Sequence, residues 1–167
     1  MKRYRKLRIF VILVLVVLGI NVFTNFKLIP DVFNESQPPK NYLTGLPGTN
    51  GNVLAVKIDD TRDAHPQIGI EAADLVYVEQ VEGGLTRLAA IYTSKLPPLI
   101  GPIRSARISD IELLAQFGRV GFAYSGAQSK MRPVIAEANL ENLSAERNPP
   151  SIYGKDPDRP GPVDMIL

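Results

Sequence analysis

The hydrophobic pattern changes its period along the chain. Residues Ile9 to Ile20 (IFVILVLVVLGI) hold twelve positions without a polar side chain, and apolar residues continue at Val22, Phe23 and Phe26. Leu7 to Phe26 makes 20 residues. As a helix they measure about 30 Å, the thickness of a bilayer core. A helix is required there, because lipid offers backbone N–H and C=O groups no partner. Residues 9–26 are predicted to be a transmembrane signal anchor. The competing reading, a cleaved secretory signal, wants small residues near the cut, and Asn21-Val22-Phe23-Thr24-Asn25-Phe26 is bulky. Residues 27–52 are polar and broken by Pro30, Pro38, Pro39, Gly45, Pro47, Gly48 and Gly51, the pattern of an extracytoplasmic linker.

From Val53 the period becomes two. Leu54, Val56 and Ile58 alternate toward Asp59-Asp60, which predicts a strand. Leu75–Val81 and Thr86–Thr93 are two more strands, and Gly83-Gly84 between them predicts a two-residue hairpin. That register sets Gln80 opposite Arg87 and puts Glu82 on the face of Arg87, with Glu79 on the other face. A helical stripe then runs through Ile108, Ile111, Leu114 and Phe117, with Gly118 as its stop and Ser109/Glu112 or Ser105 as its cap. Val120–Tyr124 predicts a strand. Ser125 and Gln128 suggest a capping box before Met131, Val134, Ile135 and Ala138, and Pro133 fits only that helix's first turn. After Asn148-Pro149-Pro150 the pattern predicts loop. The expected fold is α/β, a mixed α+β sheet domain over 53–167 preceded by one transmembrane helix.

Charge adds a direction to this picture. Lys2, Arg3, Arg5, Lys6 and Arg8 put five cations into residues 1–8, while the remaining 14 Lys/Arg face 17 Asp/Glu, a net −3. A basic tip before an apolar helix predicts a cytoplasmic N-terminus with the body translocated, hence a single-pass protein of the cell membrane. With the basicity confined to the tip, nucleic acid is not an expected partner. The chain has no cysteine and one histidine, which removes disulfides, thiolate metal sites and lipidation at cysteine. No cofactor or metal is expected: Asp59, Asp60 and Asp63 lack the other ligands and the glycine of a calcium loop.

Two sets of residues invite chemistry. Arg104, Ser105 and Arg107 follow Gly101-Pro102-Ile103 into the predicted helix, and with Arg87 and Glu82 they make the candidate ligand site, suited to a carboxylate or phosphate. Internal pairing of these arginines with Asp60, Glu79, Glu82 or Asp110 is the structural alternative. Glu79, Glu82 and Asp60 are weak catalytic candidates, as acid–base carboxylates of a hydrolase. Ser125 lacks the flanking glycines of a nucleophile elbow, and His65, before Pro66, reads as an exposed loop residue.

Six ordered segments resemble one family: Leu43-Thr44-Gly45-Leu46-Pro47, Ala55-Val56-Lys57-Ile58-Asp59, Pro66-Gln67-Ile68-Gly69-Ile70, Ala73-Asp74-Leu75-Val76-Tyr77, and above all Val81-Glu82-Gly83-Gly84-Leu85-Thr86-Arg87 and Ile100-Gly101-Pro102-Ile103-Arg104-Ser105-Ala106-Arg107. In these the chain is similar to the YerB-like bacterial envelope lipoproteins. The resemblance implies an extracytoplasmic, membrane-tethered α/β protein of Gram-positive-type bacteria with no assigned reaction and usually a second domain. Two departures stand out: a hydrophobic helix replaces the lipidated cysteine, and Pro162-Val163-Asp164 stands where similar proteins read Pro-His-Asn. The last strong element ends near Asn139 and the chain stops at Leu167, so the domain is expected to be incomplete at its C-terminus.

The function expected from these features is binding of a cell-wall component, peptidoglycan or an anionic wall polymer, or of a wall-synthesis protein, by a tethered body, with the lipid bilayer holding residues 9–26. A carboxylate-dependent wall hydrolase and a non-functional fragment are the alternatives.

Overall fold

The computed structural model describes residues 2–26, 38–148, 152–161 and 163–167. They fall into two units, within 1–37 and 38–167. The first is one helix, α1 (Lys2–Phe26). Its apolar side chains from Ile9 to Phe23 are exposed all round, so it has no polar face to turn to water. Among the described residues no helix is long and apolar enough to cross a membrane. The side chains of Lys2, Arg3 and Lys6 in the basic tip, the linker over 27–37, and Pro149, Pro150 and Pro162 lie outside the description.

The second unit is a mixed α/β domain built on a five-stranded sheet. Its strands are β1 (Leu54–Asp59), β2 (Leu75–Gln80), β3 (Thr86–Tyr92), β4 (Val120–Ala123) and β5 (Leu140–Asn142), in the order β2-β3-β1-β4-β5. β3 is antiparallel to both neighbours and the other four strands are mutually parallel, so four carboxyl ends share one edge. Two short helices, α2 (Ile108–Ala115) and α3 (Arg132–Glu137), cover one face. There Ala55, Ile91, Phe122 and Tyr124 pack with Leu114, Met131 and Ile135. On the other face Val56, Ile58, Ala90 and Tyr92 pack under Ile100, Ile103 and Tyr153. Both faces of β1 are thus buried, which the one-sided alternation of its sequence did not imply.

Several expectations are corrected. The glycine hairpin has a three-residue loop, a 3-10 turn over Glu82–Gly84 closed by Val81 N–H donating to Leu85 O, with both glycines at positive φ. This shifts the register by one residue, and a one-residue shift exchanges the faces of every side chain. Glu79, not Gln80, lies opposite Arg87. The helix expected from Arg104 begins only at Ile108, because residues 103–106 are extended and their N–H groups are taken by Met165, Lys57 and Gly126 carbonyls. Its capping carboxylate is Asp110, which accepts the Arg107 N–H at 2.5 Å, so neither Ser105 nor Ser109 caps it. Ile108 is 58% exposed and leaves the stripe. The turn after Ser125 starts at Gln128 without a side-chain cap.

Pro133 does stand in the first turn of α3. The unit begins at Pro38, so the second half of the predicted linker belongs to it. Buried Asn41 accepts the N–H of Leu43 and Thr44 and donates to Thr93 Oγ1 at 2.6 Å. The tail is folded as well: β6 (Gly154–Lys155) pairs with β7 (Met165–Ile166), and Leu167 exchanges two backbone hydrogen bonds with Ile100.

Candidate functional site

Two rows of residues on one face cross the sheet near its carboxyl edge. Asp59, Arg87 and Glu79 stand opposite one another on β1, β3 and β2, and the next row is Lys57, Ala89 and Tyr77. All point to the helix-covered face. Ala89 carries only a methyl group, so the Lys57 ammonium reaches across β3 to Glu79 Oε1 at 2.5 Å and to Asp110 Oδ1 on α2 at 2.6 Å. Lys57 and Asp110 are fully buried. Such an assembly persists because each charge has a partner, whereas a buried charge without one is expensive. Ser109 Oγ donates to Glu79 Oε2 at 2.7 Å. Burial pushes the Asp110 carboxyl up to about 6, with Glu79 adding to the rise against the pull of Lys57. Burial acts on Glu79 in the same sense, but hydrogen bonds from Lys57 and Ser109 outweigh it and hold that carboxyl below its ordinary value. Lys57 and Asp110 were not candidates from sequence. The available signal was a lysine inside the apolar run Ala55-Val56-Lys57-Ile58.

Above this buried layer the arginines converge. Arg104 Nε lies 2.5 Å from Oδ2 of buried Asp59, although neither atom has a hydrogen bond of good direction. Arg107 Nε donates to Glu82 Oε2 at 2.8 Å, and that carboxylate is 63% exposed. Arg87 Nη1 donates to the Ser105 carbonyl at 2.9 Å. Burial and the charges of Arg107 and Arg104 push the Arg87 guanidinium down. Arg87 is the one arginine of the three that forms no ion pair among the described residues, because the carboxylates on either side of it, Asp59 and Glu79, are held by Arg104 and Lys57. The Ser105 hydroxyl faces Ser125 Oγ at 3.4 Å.

The weak catalytic candidates do not share a cleft. Asp60 accepts from Thr86 Oγ1 at 2.5 Å and Gln67 Nε2 at 3.2 Å, with exposed His65 beside it. Glu79 is bound beneath α2, and Glu82 lies on the exposed turn. Each carboxylate has a different partner, an arrangement unlike two acids facing one glycosidic bond. Among the described residues no group of acidic and histidine side chains is placed to hold a metal ion.

Comparison with known proteins bears on the fold. "Putative lipoprotein YerB" of Bacillus subtilis (strain 168) is 37% identical over 83 residues, 47% of this chain and 24% of that protein. A crystal structure of YerB protein from Bacillus subtilis superposes with a TM-score of 0.69 at 27% identity, covering 77% of this chain and 46% of the other. The chain thus spans less than half the length of these relatives. Residues 43–166 match the N-terminal domain of a family described as a protein of unknown function (DUF3048), and the matched stretch takes in every strand from β1 onward, both helices and the arginine cluster. The chain belongs to the DUF3048 N-terminal domain family and is YerB-like.

Proposed function

We propose that this is a single-pass membrane-anchored envelope protein whose carboxyl-edge arginines bind an anionic component of the cell wall. The observation that carries the reading is Arg87, a half-buried cation between two others and without a carboxylate of its own. Arg104 and Arg107 are spoken for by Asp59 and Glu82, but their terminal nitrogens leave donors over. An external carboxylate or phosphate supplies the missing counter-charge and takes charge-assisted hydrogen bonds from planar guanidinium groups. The apolar helix α1, its basic N-terminal residues and the word lipoprotein in the relative's name support an envelope location on a membrane.

The test uses Arg107→Ala, since Arg104→Ala would strand the buried Asp59 carboxylate and confuse binding with stability. The full chain in detergent micelles is expected to co-sediment with purified cell walls carrying their anionic polymers, less so as salt is raised. Loss of one charged donor costs about 1.5–3 kcal/mol, a drop of tenfold or more for Arg107→Ala. Equal retention of wild type and Arg107→Ala at all salt concentrations would sink the reading.

A further inference from the structure

The carboxyl edge holds a second feature that the arginines do not use. Where β4 and β5 end, a cavity of about 430 Å3 is lined by Tyr124, Arg132, Asn142, Ser144, Glu146 and Arg147. Its walls mix donors with acceptors. Arg132 Nη2 donates to Glu146 Oε1 at 2.9 Å, and Tyr124 Oη donates to Asn142 Oδ1 at 2.9 Å. Asn142 Oδ1 also takes the Ser144 N–H at 3.0 Å, which leaves its amide NH2 without a protein partner among the described residues. The Arg147 side chain makes no hydrogen bond among them either.

The cavity adjoins the cationic patch. Ser125 N–H donates to Arg104 O and Ala106 N–H to Gly126 O, each at 3.0 Å, so residues 104–106 and 125–126 run side by side. Ala127, in the cavity wall, follows directly. Two residues of chain, roughly 7 Å, separate the wall from the segment that carries Arg104.

The cavity differs from the arginine cluster in its lining: Arg132 is paired with Glu146, and Arg147 stands among the neutral polar groups of Tyr124, Asn142 and Ser144. It suits groups that donate and accept together, which sugar hydroxyls and acetamides do. A cavity of this size is at the small end of ligand sites. We infer that it is a sugar subsite, and that the ligand is an acidic glycan with a ring in this cavity and its acid group on Arg87, Arg104 and Arg107. The inference rests on the anion-binding reading above and names the ligand class. A carboxylate and a phosphate share the chemistry the arginines need.

Calorimetric titration of the full chain in micelles tests it with four probes. These are the N-acetylglucosamine–N-acetylmuramic acid disaccharide, N-acetylglucosamine 6-phosphate, neutral N,N′-diacetylchitobiose and inorganic phosphate. A sugar acid is expected to bind at least tenfold tighter than N,N′-diacetylchitobiose and inorganic phosphate, and the tighter of the two sugar acids identifies the acid group. Arg147→Ala, at an exposed side chain without bonds to lose, and Glu146→Gln should each weaken the sugar acids several-fold and leave inorganic phosphate unchanged. Arg107→Ala should weaken both. If inorganic phosphate binds as tightly as the sugar acids and neither cavity variant changes anything, the subsite is overturned and the anion-binding reading stands. If no acid binds at all, both fall.

Discussion

Lys57 is the residue on which the buried layer depends. Replacing it with methionine keeps most of the volume but leaves Glu79 and Asp110 without their shared cation, and breaking a buried pair in this way costs about 3–5 kcal/mol. Thermal unfolding of Lys57→Met should show that loss. The two carboxylates also give stability opposite dependences on pH. Asp110 has a raised value when folded, so its contribution is full below the ordinary carboxylate range and is lost as pH rises through about 6. Glu79 is lowered, so its contribution is present above its ordinary value and is lost as pH falls below it. Between pH 4.5 and 7, as roughly bounded by carboxylate values, Asp110 alone of the pair gives a slope, with stability falling as pH rises. Asp110→Asn should flatten it, and an unchanged slope in unfolding measurements would show that the proton sits elsewhere.

At the scale of elements, β1 to β4 and the two helices were legible from their alternating or helically spaced apolar residues, although β1 is buried on both faces and β2 has no fully buried side chain. β5 was not: Leu140–Asn142 is too short to show a period, and it is held as a strand by β4 beside it. The two-residue strands β6 and β7 exist only through long-range pairing. The hairpin register was lost for a different reason, since Glu82-Gly83-Gly84 closes as readily in three residues as two glycines do in two. That single residue decides whether Glu79 meets Lys57 or solvent, so the buried half of the site was hidden while the arginines, set in distinctive segments, were visible. Two glycines separate turn strain from packing. At Gly83 a Cβ meets nothing within 4 Å, and Gly83→Ala should cost only about 1–2 kcal/mol for its positive φ. At Gly69 the Cβ would lie 2.3 Å from Leu99 O and 2.9 Å from Pro97 Cγ, so Gly69→Ala should unfold the domain or lower its melting temperature far more. Equal melting temperatures for the two variants would contradict that packing.

For the whole molecule, the tether and the binding edge form one account. The proposed topology puts residues 1–8 in the cytoplasm and everything from the linker onward outside. Membrane fractions should retain the full chain through an alkaline carbonate wash, and external protease on intact spheroplasts should remove the body. Release by carbonate would contradict a spanning anchor. On that proposed topology the body shares its compartment with the wall, so anionic polymers are the candidates for the arginine edge, and a few charge-assisted hydrogen bonds suffice for affinity.

The central claim, that this edge awaits an external anion, is tested most directly at Glu82. Its exposed carboxylate occupies Arg107 in the free protein and so competes with the ligand. In a titration of the full chain with the N-acetylmuramic acid disaccharide, Glu82→Gln should bind several-fold tighter than wild type, because the glutamine frees Arg107 and removes a repelling charge. Unchanged or weaker binding by Glu82→Gln would contradict the account, since it would make the carboxylate part of a structural pair or of the ligand's own contacts.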